Sequence, residues 1–294
     1  MFQYPAGELK DFIASIIEKN VSPETMAWLK QQQTLPQGIA GFNKAFVLIP
    51  RKTSKAIIEL TENEKQTVQQ IRPGFTLNKY SIDRLCRVGL LLQLPADNEP
   101  QYLKTIETLF QAAEVNELVA LYGALPLYAY PEKWATRCAE GIRSNIGDVL
   151  ETIICDNPFP SEQLNDAAWN QLVLKGFFTE KDIQRIIGFD KRANKLLADT
   201  LIDYAHERWA ASRTNHPQLW RGVSPFITEE NFSSIEKAVN SKDAKEQKAA
   251  LLACYNSSFS KAKQLVDNYP AIKQEIESGV LTWNSEELAK PTVL

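Results

Sequence analysis

Apolar residues recur at helical spacing along most of the chain, whereas the alternation typical of strands is nearly absent. The clearest apolar stripe runs through residues 131–155 and consists of Trp134, Cys138, Ile142, Ile146, Val149 and Ile153. Similar spacing predicts neighbouring helices over residues 101–123 and 161–178. Residues 42–49 resemble a strand, but the spacing of their apolar side chains fits a helix better. The pattern therefore predicts an all-α fold.

Capping residues indicate where some of these helices begin and end. Ser22 followed by Pro23 is typical of an N-cap with proline at the first helical position. Thr179 and Asp182, with Gly188 at the far end, predict a further helix over about residues 180–188.

Four short helices in two pairs are predicted near the C-terminus, over residues 229–239, 243–255, 260–268 and 270–278. Their pairing is similar to that of HEAT repeats, but no exact repeat period is present. We therefore expect an irregular antiparallel helical array, a HEAT-like α-α superhelix. Its predicted parts are an N-terminal helical extension (1–40), a helical core (41–225) and C-terminal helix pairs packed on the core (226–294), or one continuous domain.

Composition and charge narrow the class of protein. Of the 294 residues, 44% are apolar and 23% are charged, as in ordinary globular proteins. A formal net charge of −3 and the lack of a long basic cluster argue against nucleic acid as a partner. The sequence has neither a secretory signal nor roughly 18 uninterrupted apolar residues, so we expect no direct membrane insertion.

The cysteines point to a reducing compartment. Cys86, Cys138, Cys155 and Cys254 are far apart, mostly within apolar segments, and lack the spacing of a zinc site. We expect reduced, partly buried thiols in a cytoplasmic protein. Because the phosphate-binding glycine motifs are also absent, we expect no cofactor.

Candidate chemistry concentrates in residues 199–213, DTLIDYAHERWAASR. One side of this predicted helix faces the core, and the other carries Asp199, Asp203, His206 and Arg213. Asp203 and His206, three residues apart, have the spacing by which an acid orients a general base or both bind a metal. The alternative is a solvated face with spaced ion pairs. We expect no metal site, because the only other histidine, His216, lies beyond this helix.

A second polar group lies in residues 140–157. Arg143 and Asn145 flank the apolar stripe within the predicted helix, and a guanidinium there could clamp a carboxylate or phosphate. Pairing within the protein is the alternative. Asn157 belongs to the sequence DNPFP, which is typical of a helix end followed by a turn.

Five segments together resemble the EboA family, small helical proteins encoded in a bacterial gene cluster for secondary metabolites. They are FNKAFVLIPRK (42–52), LYGALPLYAYPE (121–132), GIRSNIGDVLETIICDNPFP (141–160), WNQLVLK (169–175) and DYAHERWAASR (203–213). The resemblance implies a role in processing or export of metabolite precursors and no established reaction. The motif positions that it transfers are Arg143, Asn145, Asn157, Asn170, Lys175, Asp203, His206, Glu207, Arg208 and Arg213. We expect them to gather around one groove.

Two functions remain open at this point. The preferred one is a non-catalytic helical-repeat protein that binds a protein partner from the same pathway or a small anionic or polar metabolite. Arg143 and Arg213 would contact an anionic group, and Asp203 would orient His206. The alternative is a hydrolase or isomerase with His206 as general base, Asp203 as its orienting group and Arg143 as an electrostatic clamp.

Overall fold

A computed structural model describes residues 1–32 and 38–291 of the chain. These residues form helices and connecting turns without a strand, apart from an isolated bridge between Ile57 and Ser81. The fold class is therefore all-α, as predicted. None of the described helices combines the length and apolar character that crossing a bilayer requires. The chain divides into two compact units, residues 1–164 and 165–294.

The first unit is built around a buried central helix. Its helices are α1 (Ala6–Asn20), α2 (Pro23–Gln32), α3 (Gly38–Lys52), α4 (Glu62–Ile71), α5 (Ile82–Leu91), α6 (Glu99–Ala112), α7 (Val115–Gly123), α8 (Ala135–Ile142), α9 (Gly147–Ile154) and α10 (Phe159–Gln163). Helix α5 packs against α1, α3 and α7, and α7 packs in turn on α9. Helices α1 and α5 approach closely at Gly89, where an added Cβ would lie 2.5 Å from Ile17 Cδ1. A side chain at this position would require the end of the Ile17 side chain to move.

A buried ion cluster joins α5 to α7. Arg87 Nη1 donates to Asp83 Oδ2 at 2.7 Å, and Arg87 Nη2 lies 3.9 Å from Glu117 Oε1. The three side chains are buried, with at most 8% of any of them exposed. Arg87 is therefore the cation that compensates two carboxylates within the core, where water does not solvate them.

The second unit surrounds another buried helix, α15. Its helices are α11 (Asp166–Phe178), α12 (Lys195–Ala210), α13 (Leu219–Val223), α14 (Phe232–Val239), α15 (Ala244–Asn256), α16 (Ser260–Val266) and α17 (Pro270–Glu277). Helix α15 packs against α13, α14, α16 and α17, while α12 packs on α11 and α13. Helices α14 to α17 confirm the four short helices expected near the C-terminus. The HEAT-like superhelix and the domain boundaries after residues 40 and 225 stay predictions.

The stripe predicted as one helix over residues 131–155 is interrupted. It comprises a 3₁₀ turn at Pro131–Trp134, then α8 and α9, with a break at residues 143–146. Arg143 is the C-cap of α8, and Ser144 Oγ accepts from the backbone N–H of Ile146 at 3.1 Å. This side-chain bond replaces a helical backbone bond. The prediction that Arg143 and Asn145 lie within one continuous helix is therefore wrong.

The helix predicted over residues 180–188 is also wrong. Thr179 ends α11 instead of starting a new helix, and its hydroxyl donates back to the carbonyl of Lys175 at 2.7 Å. Glu180 then adopts a left-handed backbone with φ of 54°. Asp182 caps only a 3₁₀ turn at Ile183–Arg185. The capping signals are real, but each belongs to a different element from the one predicted.

The remaining segments that were predicted as helices are helical. Residues 42–49 lie within α3, and Ser22 Oγ accepts from Thr25 N at 3.2 Å at the start of α2. The ranges 101–123 and 161–178 each contain parts of two helices where one was predicted.

All four cysteines are free thiols and buried, as expected. Burial raises the pKa of the Cys86 thiol to about 12, with a further contribution from the nearby Asp83 carboxylate. Burial alone raises the pKa of Cys254 to about 12. These two thiols are therefore protonated near neutral pH and have little nucleophilic character.

Candidate functional site

A groove of about 570 Å³ opens on the second unit, at the C-terminal ends of α11 and α12. The residues that line it are Gln171, Leu174, Lys175, Phe178, Glu180, Tyr204, Glu207, Arg208, Ala211 and Arg213. This volume is typical of sites that bind small molecules. Three of the predicted site residues, Lys175, Glu207 and Arg213, thus meet here, together with the motif residue Arg208.

A pair of asparagines connects the two helices that form the groove. Asn170 Nδ2 donates to Asn194 Oδ1 at 3.2 Å, and Asn194 Nδ2 donates to Asn170 Oδ1 at 2.9 Å. Asn194 is also the N-cap of α12, because its Oδ1 accepts from Leu197 N at 2.9 Å. The Asn170 amide, a candidate for ligand binding, is therefore engaged in joining α11 to the start of α12.

The position of Arg213 depends on the way α12 ends. The helix stops at Ala210, and Ser212 takes a left-handed backbone with φ of 55°. The chain then turns back, so that Arg213 N donates to Arg208 O at 2.8 Å. Arg213 therefore lies beyond the helix, and the prediction that it continues the helical stripe is wrong. The turn nevertheless brings Arg213 to the groove.

The groove combines a small excess of positive charge with apolar surface. Lys175, Arg208 and Arg213 supply three cations, against the carboxylates of Glu180 and Glu207, which gives a formal charge of +1. Phe178, Leu174 and Tyr204 add apolar surface, and 71% of Phe178 is exposed to solvent. The arrangement suits a molecule with a negatively charged group and an apolar body.

A smaller cavity of about 10 Å³ adjoins the groove and shares three of its residues. It is lined by Phe177, Glu180, Tyr204, Arg208, His216 and Pro291. His216 is buried, and its Nδ1 accepts from Gln218 N at 3.1 Å. Burial lowers the pKa of His216 to about 4, and the positive charges of Arg208 and Lys245 add to this effect. His216 is therefore a neutral imidazole near neutral pH.

The segment that carries His216 is fixed by a buried carboxylate on α15. Glu246, 1% exposed, accepts hydrogen bonds from Trp209 Nε1 at 3.2 Å, Asn215 Nδ2 at 2.8 Å and Ser241 Oγ at 2.7 Å. These bonds tie α12 and the residue before His216 to α15.

His206 and Asp203 are exposed on α12 and are not among the residues lining the groove. His206 Nε2 is hydrogen-bonded to Ser234 Oγ at 2.8 Å, and the ring meets Trp209 edge-on. Within the described ranges no hydrogen bond joins Asp203 to His206, so this carboxylate does not orient the imidazole there. Nor do three potential metal-ligand side chains cluster anywhere in that part of the chain.

Arg143, Asn145 and Asn157 belong to the first unit. Arg143 and Asn145 are exposed in the break between α8 and α9. Asn157 is buried, donates to Thr152 O at 3.0 Å and accepts from Phe159 N at 3.0 Å. Its hydrogen bonds support the turn after α9, in line with the turn expected there. The expectation that all the motif residues gather around one groove is therefore met only in part, because Asn170, Asp203 and His206 do not line it.

Sequence reasoning assigned no binding role to Tyr204, Phe178 or His216. The helical spacing groups Tyr204 and Arg208 with the core leucines of α12, but the structure leaves both half-buried at the edge of the core. The sequence signal for a role of Tyr204 and Arg208 is their separation of four residues near a helix end. At that spacing an arginine can pack on an aromatic ring. No comparable pattern in the sequence predicts that Phe178 is exposed or that His216 is buried.

Comparison with known proteins gives one match. The family model described as "Metabolite traffic protein EboA" matches residues 9–224. No curated protein and no solved structure was found to match the chain.

Proposed function

We propose, from the premise that this chain belongs to the EboA family of metabolite traffic proteins, that it binds a small anionic metabolite in the groove of α11 and α12. On this proposal the protein carries the metabolite and does not transform it. The proposed setting is the cytoplasm and a pathway that processes or exports secondary metabolites. A protein partner from the same pathway stays a prediction.

The proposal rests mainly on one observation. Lys175, Glu207, Arg208 and Arg213 come from two family-like motifs more than 25 residues apart, and all of them line a single groove of small-molecule size. Charged side chains from separate segments that meet beside an exposed aromatic ring are typical of a ligand site. One cation of the groove is oriented before a ligand binds, because Arg208 Nε donates to Thr214 O at 2.7 Å.

A non-catalytic role agrees with the surroundings of His206. A general base needs an open space beside it for the substrate. His206 instead contacts Ser234 and Trp209 and is absent from the lining of the groove. The predicted orienting carboxylate, Asp203, forms no hydrogen bond to it among the residues described.

The test blocks the groove with one substitution. Ala211→Trp places an indole among the lining residues, whereas Ala210→Trp places the same side chain on the neighbouring exposed residue, which does not line the groove. Each purified protein is equilibrated with a small-molecule extract of its native host and separated by gel filtration. The molecules that it retains are then identified by mass spectrometry.

We expect the wild-type protein and Ala210→Trp to retain the same anionic small molecule and Ala211→Trp to lose it. Circular dichroism checks that both variants remain folded. Equal retention by the two variants, or retention of nothing by the wild-type protein, would contradict the proposed function.

A further inference from the structure

We propose that the small cavity beside the groove is a carboxylate site, in which His216 donates a hydrogen bond from Nε2 alongside the guanidinium of Arg208. This inference rests on the proposed function and specifies the charged group of the metabolite. It assigns a binding role to a histidine that lies outside the ionisable stripe of α12.

The hydrogen bond at Nδ1 determines the tautomer of His216. Because Nδ1 accepts from Gln218 N at 3.1 Å, the proton of the neutral ring is on Nε2. No described residue provides a hydrogen-bond partner for Nε2, although His216 is only 7% exposed. Phe177 packs edge-on against the ring, with 5.6 Å between the ring centroids. The cavity therefore contains a fixed imidazole with an N–H donor available to a ligand.

Arg208 is held in position next to this imidazole. Its Nε donates to Thr214 O at 2.7 Å, and its guanidinium carbon lies 5.7 Å from the centre of the Tyr204 ring. Its Nη1 is 3.4 Å from the Tyr204 hydroxyl. These contacts leave the Nη2 donors for a ligand. A guanidinium that is already oriented loses little conformational entropy when it binds an anion.

The size and charge of the site favour a carboxylate over a phosphate. A cavity of about 10 Å³ has room for roughly one water-sized group, such as one end of a planar carboxylate. Glu180 lines both the cavity and the groove, and Glu207 lines the groove. A second negative charge on the ligand would be repelled by these two carboxylates, whereas the net charge of +1 balances a monoanion.

The neutrality of His216 agrees with this role. The charged or titratable groups around it are Arg208 and Tyr204 on α12, Lys245 at the start of α15 and Glu180 after α11. Burial and the two cations lower the pKa of His216 to about 4, so at pH 7 it acts as a neutral donor. A bound carboxylate would stabilise the protonated form and raise this pKa.

The experiment compares three probes that share a phenylethyl body. They are 3-phenylpropionate, its neutral amide 3-phenylpropanamide, and 2-phenylethylphosphonate. Binding to the full-length wild-type protein is followed at pH 8.5, where the phosphonate carries two negative charges, by ¹⁵N-correlated NMR of the histidine rings, since the chain has only two histidines. We expect 3-phenylpropionate to shift the His216 signals in a saturable manner and to leave those of His206 unchanged. Its affinity should exceed those of the amide and the phosphonate by about tenfold or more.

Variants test the origin of this preference. His216→Phe should reduce the carboxylate-over-amide preference by about tenfold, and His216→Gln, which keeps an N–H donor, should retain most of it. The matched control, His206→Phe, removes the other histidine and should bind like the wild-type protein. If His216→Phe does not fold, the His216 signals of the wild-type protein decide the question.

The results that would contradict the carboxylate site differ from those that would contradict binding in the groove. Equal affinities for the three probes, or a carboxylate that shifts only His206, would overturn the carboxylate site while leaving the groove function intact. Absence of binding by all three probes at millimolar concentration would also overturn it. The proposed function is judged separately, by the molecules that Ala211→Trp fails to retain.

Discussion

Replacement of Asn194 by alanine is expected to destabilise the second unit by about 3 kcal/mol. The variant loses the side-chain cap of α12, which contributes about 1 kcal/mol. It also loses both hydrogen bonds to Asn170, at about 1 kcal/mol each. Asn170→Ala loses the same two bonds but leaves the cap intact, so its expected effect is about 2 kcal/mol.

The double variant separates these contributions. Because the two bonds can be lost only once, Asn170→Ala/Asn194→Ala should be about as unstable as Asn194→Ala alone, which corresponds to a coupling energy of about 2 kcal/mol. Urea unfolding is followed by tryptophan fluorescence, since Trp209 and Trp220 stack on each other within the second unit. Asn268→Ala, at an exposed position, is the control and should change stability by less than about 0.5 kcal/mol.

The result bears directly on the assignment of Asn170. If this residue were mainly a ligand contact, Asn170→Ala would abolish binding and leave the free energy of unfolding nearly unchanged. A coupling energy below about 0.5 kcal/mol would refute the reasoning, because it would mean that the two amides stabilise the unit independently.

Two further predictions concern buried charges. In the first unit, Arg87→Met leaves Asp83 and Glu117 buried without a cation and should lower the free energy of urea unfolding by about 3–5 kcal/mol. The triple variant Asp83→Asn/Arg87→Met/Glu117→Gln should lose much less, and equal losses would contradict this account. In the second unit, the lowered pKa of His216, about 4 against an ordinary 6.5, means that the unfolded chain takes up the proton first as the pH falls. Stability should therefore drop by about 2–3 kcal/mol more in the wild-type protein than in His216→Gln between pH 7 and pH 4.5, and identical drops would argue against a buried neutral imidazole.

The helical fold could be predicted from the sequence because apolar periodicity is a local property of the chain. Breaks between helices were harder to predict, because an apolar stripe can keep its helical spacing across a break. Trp134 and Ile153 belong to one apolar stripe although α8 and α9 are separate helices. The break contains a hydrogen bond from Ile146 N to Ser144 Oγ, and periodicity does not detect such a bond.

The site was less predictable because it depends on contacts between segments. The motifs indicated Lys175, Glu207 and Arg213 and the expectation of a shared groove, but not which helix ends would form it. Arg213 reaches the groove only because the chain reverses after α12. The environment of His216 depends on burial in the second unit, which no local pattern specifies.

Basic residues at helix ends also have an explanation that requires no ligand. The C-terminal end of a helix carries a partial negative charge, and a lysine or arginine in the last turn stabilises it by about 0.3–1 kcal/mol. Lys175 and Arg208 occupy such positions in α11 and α12.

Arg213 and Phe178 fall outside that explanation. Arg213 lies beyond its helix, is exposed, and forms no ion pair with another described residue. Phe178 keeps 71% of its surface in water, where an aromatic ring contributes little to folding. Helix-end electrostatics therefore accounts for two of the three cations of the groove. The proposed ligand, which is anionic at one end and apolar along its body, would account for the remaining arginine and the exposed ring.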